Sequence, residues 1–155
     1  MIDGLRSARS ARLLLAPVVI TALLGAAQRT PDGLTVEGAW VRMVPRSQAT
    51  TGGFLTLVNR SSVDQVLVDA RSPRAKTVEL HEMVHEGDRM RMRQVDRIVV
   101  PAGQTVQLRP GGLHLMLFEV TTPLQAGDKV PITLVFDDGS TIDVEAEARM
   151  PEGHR

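Results

Sequence analysis

Histidine and methionine, which together could bind a soft metal ion, are concentrated in one segment of this sequence. The segment from His81 to Met116 holds three of the four histidines and four of the seven methionines. Imidazole nitrogen and thioether sulfur favour Cu(I) over Mg²⁺, Ca²⁺ or Mn²⁺, and zinc is usually held by Cys, His or carboxylate rather than Met. The segment therefore predicts a Cu(I) site.

The first half of this segment reads as a β-hairpin. Side chains alternate along a strand, so His81 and Met83 share one face of the first strand, and Met90 and Met92 share one face of the second. If Glu86-Gly87 is the centre of the turn, His81 lies opposite Met92 and Met83 lies opposite Met90. Directly paired residues have Cβ atoms about 4.5–5.5 Å apart, close enough to share one ion.

The second half is an apolar strand on which His114 and Met116 share one face. The leucines between and around them, at 113, 115 and 117, form the opposite face and are predicted to be core. Two His-x-Met elements and a cross-strand methionine predict a ligand set of His81, Met92, His114 and Met116.

Other residues of the segment have simpler interpretations. A single methionine on a strand, such as Met83 or Met90, usually fills core space. A single histidine such as His85 is usually an exposed or satisfied residue. The arginines that alternate with the methionines favour a solvated strand face, with a partner-docking patch as the alternative; they are Arg89, Arg91, Arg93 and Arg97.

The chain around the segment predicts a single all-β domain, a β-sandwich or Greek-key barrel. Short strand-like runs are separated by Gly- and Pro-rich turns, and none shows helical periodicity with caps. Asp138-Gly139 is a strong signal for a two-residue hairpin loop. The predicted strands are 34–44, 53–58, 65–70, 77–85, 90–95, 98–100, 105–108, 113–120, 130–136 and 141–148.

The four donors and their surroundings resemble the periplasmic copper chaperones of the PCuAC type. Ten residues separate His81 from Met92, twenty-one separate Met92 from His114, and one separates His114 from Met116. The resemblance covers nearly all of the chain after its N-terminal segment. Four stretches resemble the ligand regions and opening strands of that family: 78–83, 110–117, 39–42 and 53–59.

This resemblance implies a cupredoxin-like barrel, not an enzyme, that binds Cu(I) near its surface through those four residues. Met83 and Met90 would lie beside the ligands without being primary ligands. The resemblance also implies delivery of copper to an acceptor such as the Cu(A) centre in subunit II of cytochrome c oxidase, or to another copper chaperone. We expect a monomer. Two alternatives are a periplasmic copper buffer and a metal-free β-sandwich whose Met/His surface binds another protein.

The two ends of the chain lie outside the predicted copper-binding domain, which covers 28–148. Three arginines precede an uncharged apolar run over 13–24, and Gly25-Ala26-Ala27 follows, which predicts a secretory signal peptide at 1–27. The run is shorter than the roughly 20 residues of a membrane span, so we expect export to the periplasm without stable membrane insertion after cleavage; an uncleaved anchor is the alternative. No cysteine follows, which excludes a lipoprotein anchor. At the other end, 149–155 is interpreted as a short flexible tail, with Met150 and His154 as candidates for a weak second copper site.

Composition excludes several other classes of protein. Lys+Arg is 18 and Asp+Glu is 18, so the formal net charge is zero, which argues against binding to nucleic acid phosphates. The absence of cysteine excludes zinc fingers, thiol catalysis and a blue-copper electron carrier, which needs a thiolate ligand. The Gly-x-Ser-x-Gly motif of one large class of hydrolases is absent.

Overall fold

Most strands coincide with runs in which apolar side chains recur at alternate positions. In the described part of the chain, strands are the only regular secondary structure. The computed structural model describes residues 29–45 and 47–150. Among these residues there is no helix, so none that could cross a membrane, and the all-β prediction is confirmed. The strands are β1 (Leu34–Arg42), β2 (Thr51–Asn59), β3 (Gln65–Arg71), β4 (Ala75–Glu86), β5 (Arg89–Gln94), β6 (Ile98–Val100), β7 (Thr105–Leu108), β8 (His114–Val120), β9 (Lys129–Phe136) and β10 (Thr141–Arg149).

Seven strands close into a barrel. Their order around it is β4-β8-β2-β1-β10-β9-β3, and the pairing of Ala70 with Val78 joins β3 back to β4. β1 runs parallel to β10, whereas the other neighbours in the ring are antiparallel. The remaining strands β5, β6 and β7 pair with β4, β3 and β2 respectively. The prediction of a single-domain barrel is confirmed.

The inward faces of the barrel strands form the core. Leu115 and Leu117 of β8, predicted as core, are fully buried, while Leu113 is only partly buried against it. Leu80 of β4 pairs with Leu115 and is also buried. Because side chains alternate, the residues between these leucines point to the outside of the barrel. The donors of β4 and β8 therefore lie on the outer surface.

A β-bulge in β1 places an aromatic residue next to that outer surface. The pairing of β1 with β2 shifts by one residue between Glu37 and Trp40, where Gly38 adopts a φ of 61°. Glycine tolerates this left-handed conformation because it has no Cβ. The shift sets Trp40 opposite Phe54, with ring centroids 4.5 Å apart.

The predicted hairpin at Asp138-Gly139 is present, but its loop has three residues rather than two. The backbone N–H of Phe136 donates to the carbonyl of Ser140 over 2.9 Å, which leaves 137–139 as the loop. Gly139 occupies the left-handed position with a φ of 80°, as expected for a three-residue hairpin with a glycine at its end.

Candidate metal centre

The two predicted histidine ligands lie directly opposite each other on neighbouring strands. His81 of β4 pairs with His114 of β8, and their ring centroids are 5.9 Å apart. Both rings lie on the outer face of the barrel, yet both are largely covered, with side-chain exposure of 12% for His81 and residue exposure of 4% for His114. The barrel therefore brings together two residues that are thirty-three positions apart in sequence.

Backbone contacts fix which nitrogen of His114 is free. Its Nδ1 lies 2.9 Å from the carbonyl oxygen of Gly112. A carbonyl only accepts, so Nδ1 carries the hydrogen and Nε2 carries the lone pair of the neutral ring. Nε2 is buried and has no hydrogen-bond partner among the described residues. Such an orphaned buried nitrogen is energetically costly unless something binds it.

In His81 a carboxylate fixes which nitrogen is free, and here the hydrogen-bonded nitrogen is Nε2 rather than Nδ1. Nε2 of His81 lies 2.8 Å from Oε2 of Glu79, two residues earlier on the same face of β4. A carboxylate oxygen accepts this hydrogen bond, so in the neutral ring the lone pair lies on Nδ1. Nδ1 is buried and, within the described residues, has no partner. Metal-binding histidines commonly donate their other N–H to a carboxylate or a backbone carbonyl in this way.

The environment of His114 keeps its ring neutral. Burial lowers the pKa of His114 below its ordinary value of 6.5, and the electrostatic influence of the neighbouring His81 and Arg42 acts in the same direction. The hydrogen bond to Gly112 opposes these effects but is outweighed. A lowered pKa leaves the Nε2 lone pair available for a metal ion at neutral pH.

Three thioethers face the same region as His114. A cleft of about 350 Å³ is lined by Met83, Met92, Met116 and His114, together with residues of β2 and of the segment before it. His81 does not line this cleft but borders it through its pairing with His114. Among the described residues, no three His, Asp or Glu side chains form a group that could hold a metal ion, and the predicted donors of this centre are imidazoles and thioethers.

The predicted register of the β4–β5 hairpin is wrong by two residues. The loop consists of Gly87-Asp88, so Met92 pairs with Met83, and His81 pairs with Gln94. Gly87 takes the first loop position with a φ of 62°, as in a type II′ turn, whereas the prediction centred the turn on Glu86-Gly87. A shift by an even number of residues leaves every side chain on its original face, so Met92 still faces the histidines.

The partners predicted for the other two methionines change with the register. Met83 was predicted opposite Met90, but it lies opposite Met92 and lines the cleft. Met90 lies opposite His85, one rung farther out. Both are neighbours of the predicted ligands rather than core residues: Met83 is half-buried and Met90 is 47% exposed.

Comparison with known proteins gives this chain a family. Residues 34–148 match the model of the family described as "Putative lipoprotein LpqE-like". The chain belongs to the LpqE-like family. A relative in Leifsonia xyli subsp. xyli, named "Putative lipoprotein Lxx21020", is 36% identical over 147 residues, covering 86% of this chain and 87% of the relative. The present LpqE-like sequence itself contains no cysteine to which a lipid could be attached.

Two solved structures of copper-bound proteins have folds similar to that of this LpqE-like chain. The solution structure of the Cu(I) form of DR1885 from Deinococcus radiodurans is 33% identical, with a TM-score of 0.64, covering 85% of this chain and 87% of that one. The copper-bound PCuAC domain from PmoF2 has the same fold, with a TM-score of 0.66 at 20% identity over 80% of this chain and 98% of that domain. The resemblance to the PCuAC type and the cupredoxin-like fold are confirmed.

Sequence reasoning missed the residues that surround the donors in this LpqE-like protein. Phe54 is buried, with its ring centroid 6.3 Å from that of His114, and the guanidinium carbon of Arg42 lies 5.5 Å above the Phe54 ring. Gly52 leaves room for that ring, since a Cβ there would lie 2.8 Å from its tip. Glu79 could have been found from its position two residues before His81, on the same face. The packing of Trp40 against Phe54 depends on the β-bulge in β1, and no comparable sequence signal predicts that bulge.

Two of the predictions concern the two ends of the chain. The predicted signal peptide at 1–27 and His154 of the predicted tail lie outside the described residues. Met150 lies just after β10 and is 62% exposed.

Proposed function

We propose that this protein is an exported Cu(I) chaperone that carries its ion on His81, Met92, His114 and Met116. The observation that carries this proposal is a pair of buried ring nitrogens that have no partner within the described part of the chain and lie beside a thioether-lined cleft. Neutral imidazole and thioether donors select Cu(I) among biological metals. The relationship to Cu(I)-DR1885, a copper-bound protein of 33% identity, supports the same ion.

The donor set also suits a carrier that must release its cargo. Four neutral ligands leave the ion its full positive charge, so an acceptor with thiolate ligands attracts it. Because the thioethers of Met92 and Met116 reach the surface, acceptor ligands enter while these sulfurs leave. Copper stays Cu(I) throughout, and no electron or proton needs to be supplied.

A Cu(I) titration of the protein without residues 1–27, against a competing chromophoric chelator, tests this site. We expect one tight equivalent, weakened about tenfold or more, which is at least about 1.4 kcal/mol, in His114→Ala and in Met92→Leu. Met92→Leu removes the sulfur but keeps an apolar side chain of similar volume. Met150→Leu is the matched control, because Met150 is exposed and does not line the cleft. Binding no stronger than the chelator blank, or unchanged in both variants, contradicts the proposal.

We further propose that this protein delivers its copper to another protein, and we assign the Cu(A) domain of cytochrome c oxidase subunit II as the acceptor. Mixing the copper-loaded protein with the apo acceptor gives a transfer rate that rises with acceptor concentration if ligands exchange directly. A rate that does not depend on the acceptor means release to solvent first, as expected of a copper buffer. A protein that binds no copper but is captured by a partner would instead be the metal-free interaction module.

Export to the periplasm is supported by the N-terminal segment and by the lipoprotein names of the family and of the Leifsonia relative. Mass spectrometry of protein from the periplasmic fraction tests it. We expect a chain that begins at Gln28. A full-length chain recovered with the membranes would indicate an uncleaved anchor.

A further inference from the structure

The outer half of the β4–β5 hairpin extends beyond the barrel and presents donors to solvent. Past His81, β4 pairs only with β5, apart from one backbone hydrogen bond from Met83 to the carbonyl of Gly112. β5 is an edge strand, and every residue in it is exposed. This part of the molecule is therefore not held in place by the core.

The two faces of this hairpin differ in chemistry. One face carries cross-strand ion pairs, between Arg93 and Glu82 and between Arg91 and Glu86. The other face carries two rungs of soft donors: Met83 opposite Met92, and His85 opposite Met90. The arginine side chains of β5 lie on the opposite face from its methionines, so these arginines do not lie between the two rungs.

The outer rung has the geometry of a small metal site. His85 and Met90 are directly paired, which places their Cβ atoms about 4.5–5.5 Å apart. Both side chains are exposed, and among the described residues His85 makes no side-chain hydrogen bond or ion pair. One imidazole nitrogen and one thioether sulfur can therefore close on the same ion without breaking an existing contact.

We propose that His85 and Met90 form a second Cu(I) site at the tip of the hairpin. This inference rests on the proposed function, since it assigns the same ion to both sites. The tip site is weaker than the inner one because it has two donors instead of four and is open to water. Cu(I) binds there by replacing solvent or chelator ligands with nitrogen and sulfur, without a change of oxidation state. Met83, which pairs with the inner ligand Met92, lies on β4 between His81 of the inner site and His85 of the tip site.

Methionine-methyl NMR of the protein without residues 1–27, titrated with Cu(I), tests the tip site. We expect the first equivalent to shift the methyl signals of Met92 and Met116 and the second to shift that of Met90. In His85→Ala and in Met90→Leu, the second equivalent is lost while the first is retained within about twofold. Both residues are exposed, so neither variant is expected to disturb the fold.

Met150→Leu separates the tip from the C-terminal tail as the location of a second site. We expect this variant to keep the second equivalent. Loss of that equivalent in Met150→Leu, a Met90 signal unmoved up to three equivalents, or a second equivalent that survives both tip variants overturns the inference. A first equivalent weakened more than tenfold by Met90→Leu also overturns it, because Met90 would then belong to the inner centre. Absence of the first equivalent from the wild-type protein instead contradicts the proposed function.

Discussion

The β4–β5 hairpin and the β9–β10 hairpin are built from the same kind of strand pairing but serve opposite purposes. β9 buries Val130, Ile132, Leu134 and Phe136 in the core, each with at most 2% exposure. β5 buries none of its residues. Their turns differ as well, with three residues after β9 and two after β4. Burial of apolar area is the dominant source of stability, so the β9–β10 hairpin stabilises the barrel, whereas the β4–β5 hairpin presents the proposed donors.

The largest expected difference between the two hairpins is in stability. Leu134→Ala removes a fully buried side chain from β9 and is expected to lower the free energy of unfolding by about 2–5 kcal/mol. Met92→Ala on β5 is expected to change it by less than about 0.5 kcal/mol, as for other exposed positions, while weakening Cu(I) binding. Urea unfolding of the two apo variants measures both values. Equal losses would mean that the donor hairpin is part of the stabilising structure.

The next effect concerns Glu79, which hydrogen-bonds His81 and would position that ring without itself being one of the proposed ligands. Glu79→Ala removes the acceptor that holds the hydrogen on Nε2 of His81, and we expect Cu(I) affinity to fall about 10–100-fold. Glu79→Gln keeps an oxygen acceptor and is expected to lose less. Chelator competition gives the affinity, and ¹⁵N NMR of the apo protein gives the His81 tautomer.

A matched control for Glu79 lies on the other face of the same strand. Glu82 pairs with Arg93 and points away from the histidines, so Glu82→Ala should leave both the affinity and the tautomer unchanged. An unaltered tautomer in Glu79→Ala would show that the carboxylate does not set the ring orientation.

The contrast between the hairpins also explains which features the sequence could predict. Along β9 the alternation of buried and exposed residues is regular, so its location follows from pattern alone. The donors of β4 and β8 were identifiable because His and Met recur at intervals of two within apolar strands. These signals depend on the residue type and on which face of the strand the residue occupies. A register error of two residues changes neither of them.

The features that could not be predicted depend on single turn and bulge conformations. Either Glu86-Gly87 or Gly87-Asp88 could form the loop after β4, and the two choices differ in sequence only by the position of Gly87 within the turn. The pairing of His81 with His114 depends on how β4 and β8 align in the closed barrel, which no local pattern specifies. The placement of Phe54 beside His114 depends likewise on distant strands.

The pH dependence of stability distinguishes the buried donor from the exposed hairpin. His114 has a lowered pKa in the folded protein, so the unfolded chain binds a proton that the folded chain does not. As the pH falls below the ordinary value of 6.5, the apo protein therefore loses stability, by at most about 1.4 kcal/mol per pH unit for one proton, until the folded-state pKa is reached. Above 6.5 this group contributes no pH dependence.

Urea unfolding at a series of pH values measures this slope, with His114→Gln as the variant that lacks the titrating ring. We expect the slope below pH 6.5 to be smaller in the variant. The same lowered pKa means that protons compete with Cu(I) for His114 only below 6.5. A wild-type slope equal to that of His114→Gln would show that His114 is not the group responsible.

The smallest expected effect is on the ionic face of the donor hairpin. Arg93→Ala breaks the ion pair with Glu82. The Arg93 side chain is 66% exposed and that of Glu82 is 26% exposed, and surface ion pairs contribute about 0–1 kcal/mol to stability. We expect little change in urea unfolding and a Cu(I) affinity within about twofold of wild type. If Arg93→Ala weakened copper binding as strongly as Met92→Leu, the two faces of the hairpin would not be independent. The ion pairs would then hold the register that aligns Met92 with Met83.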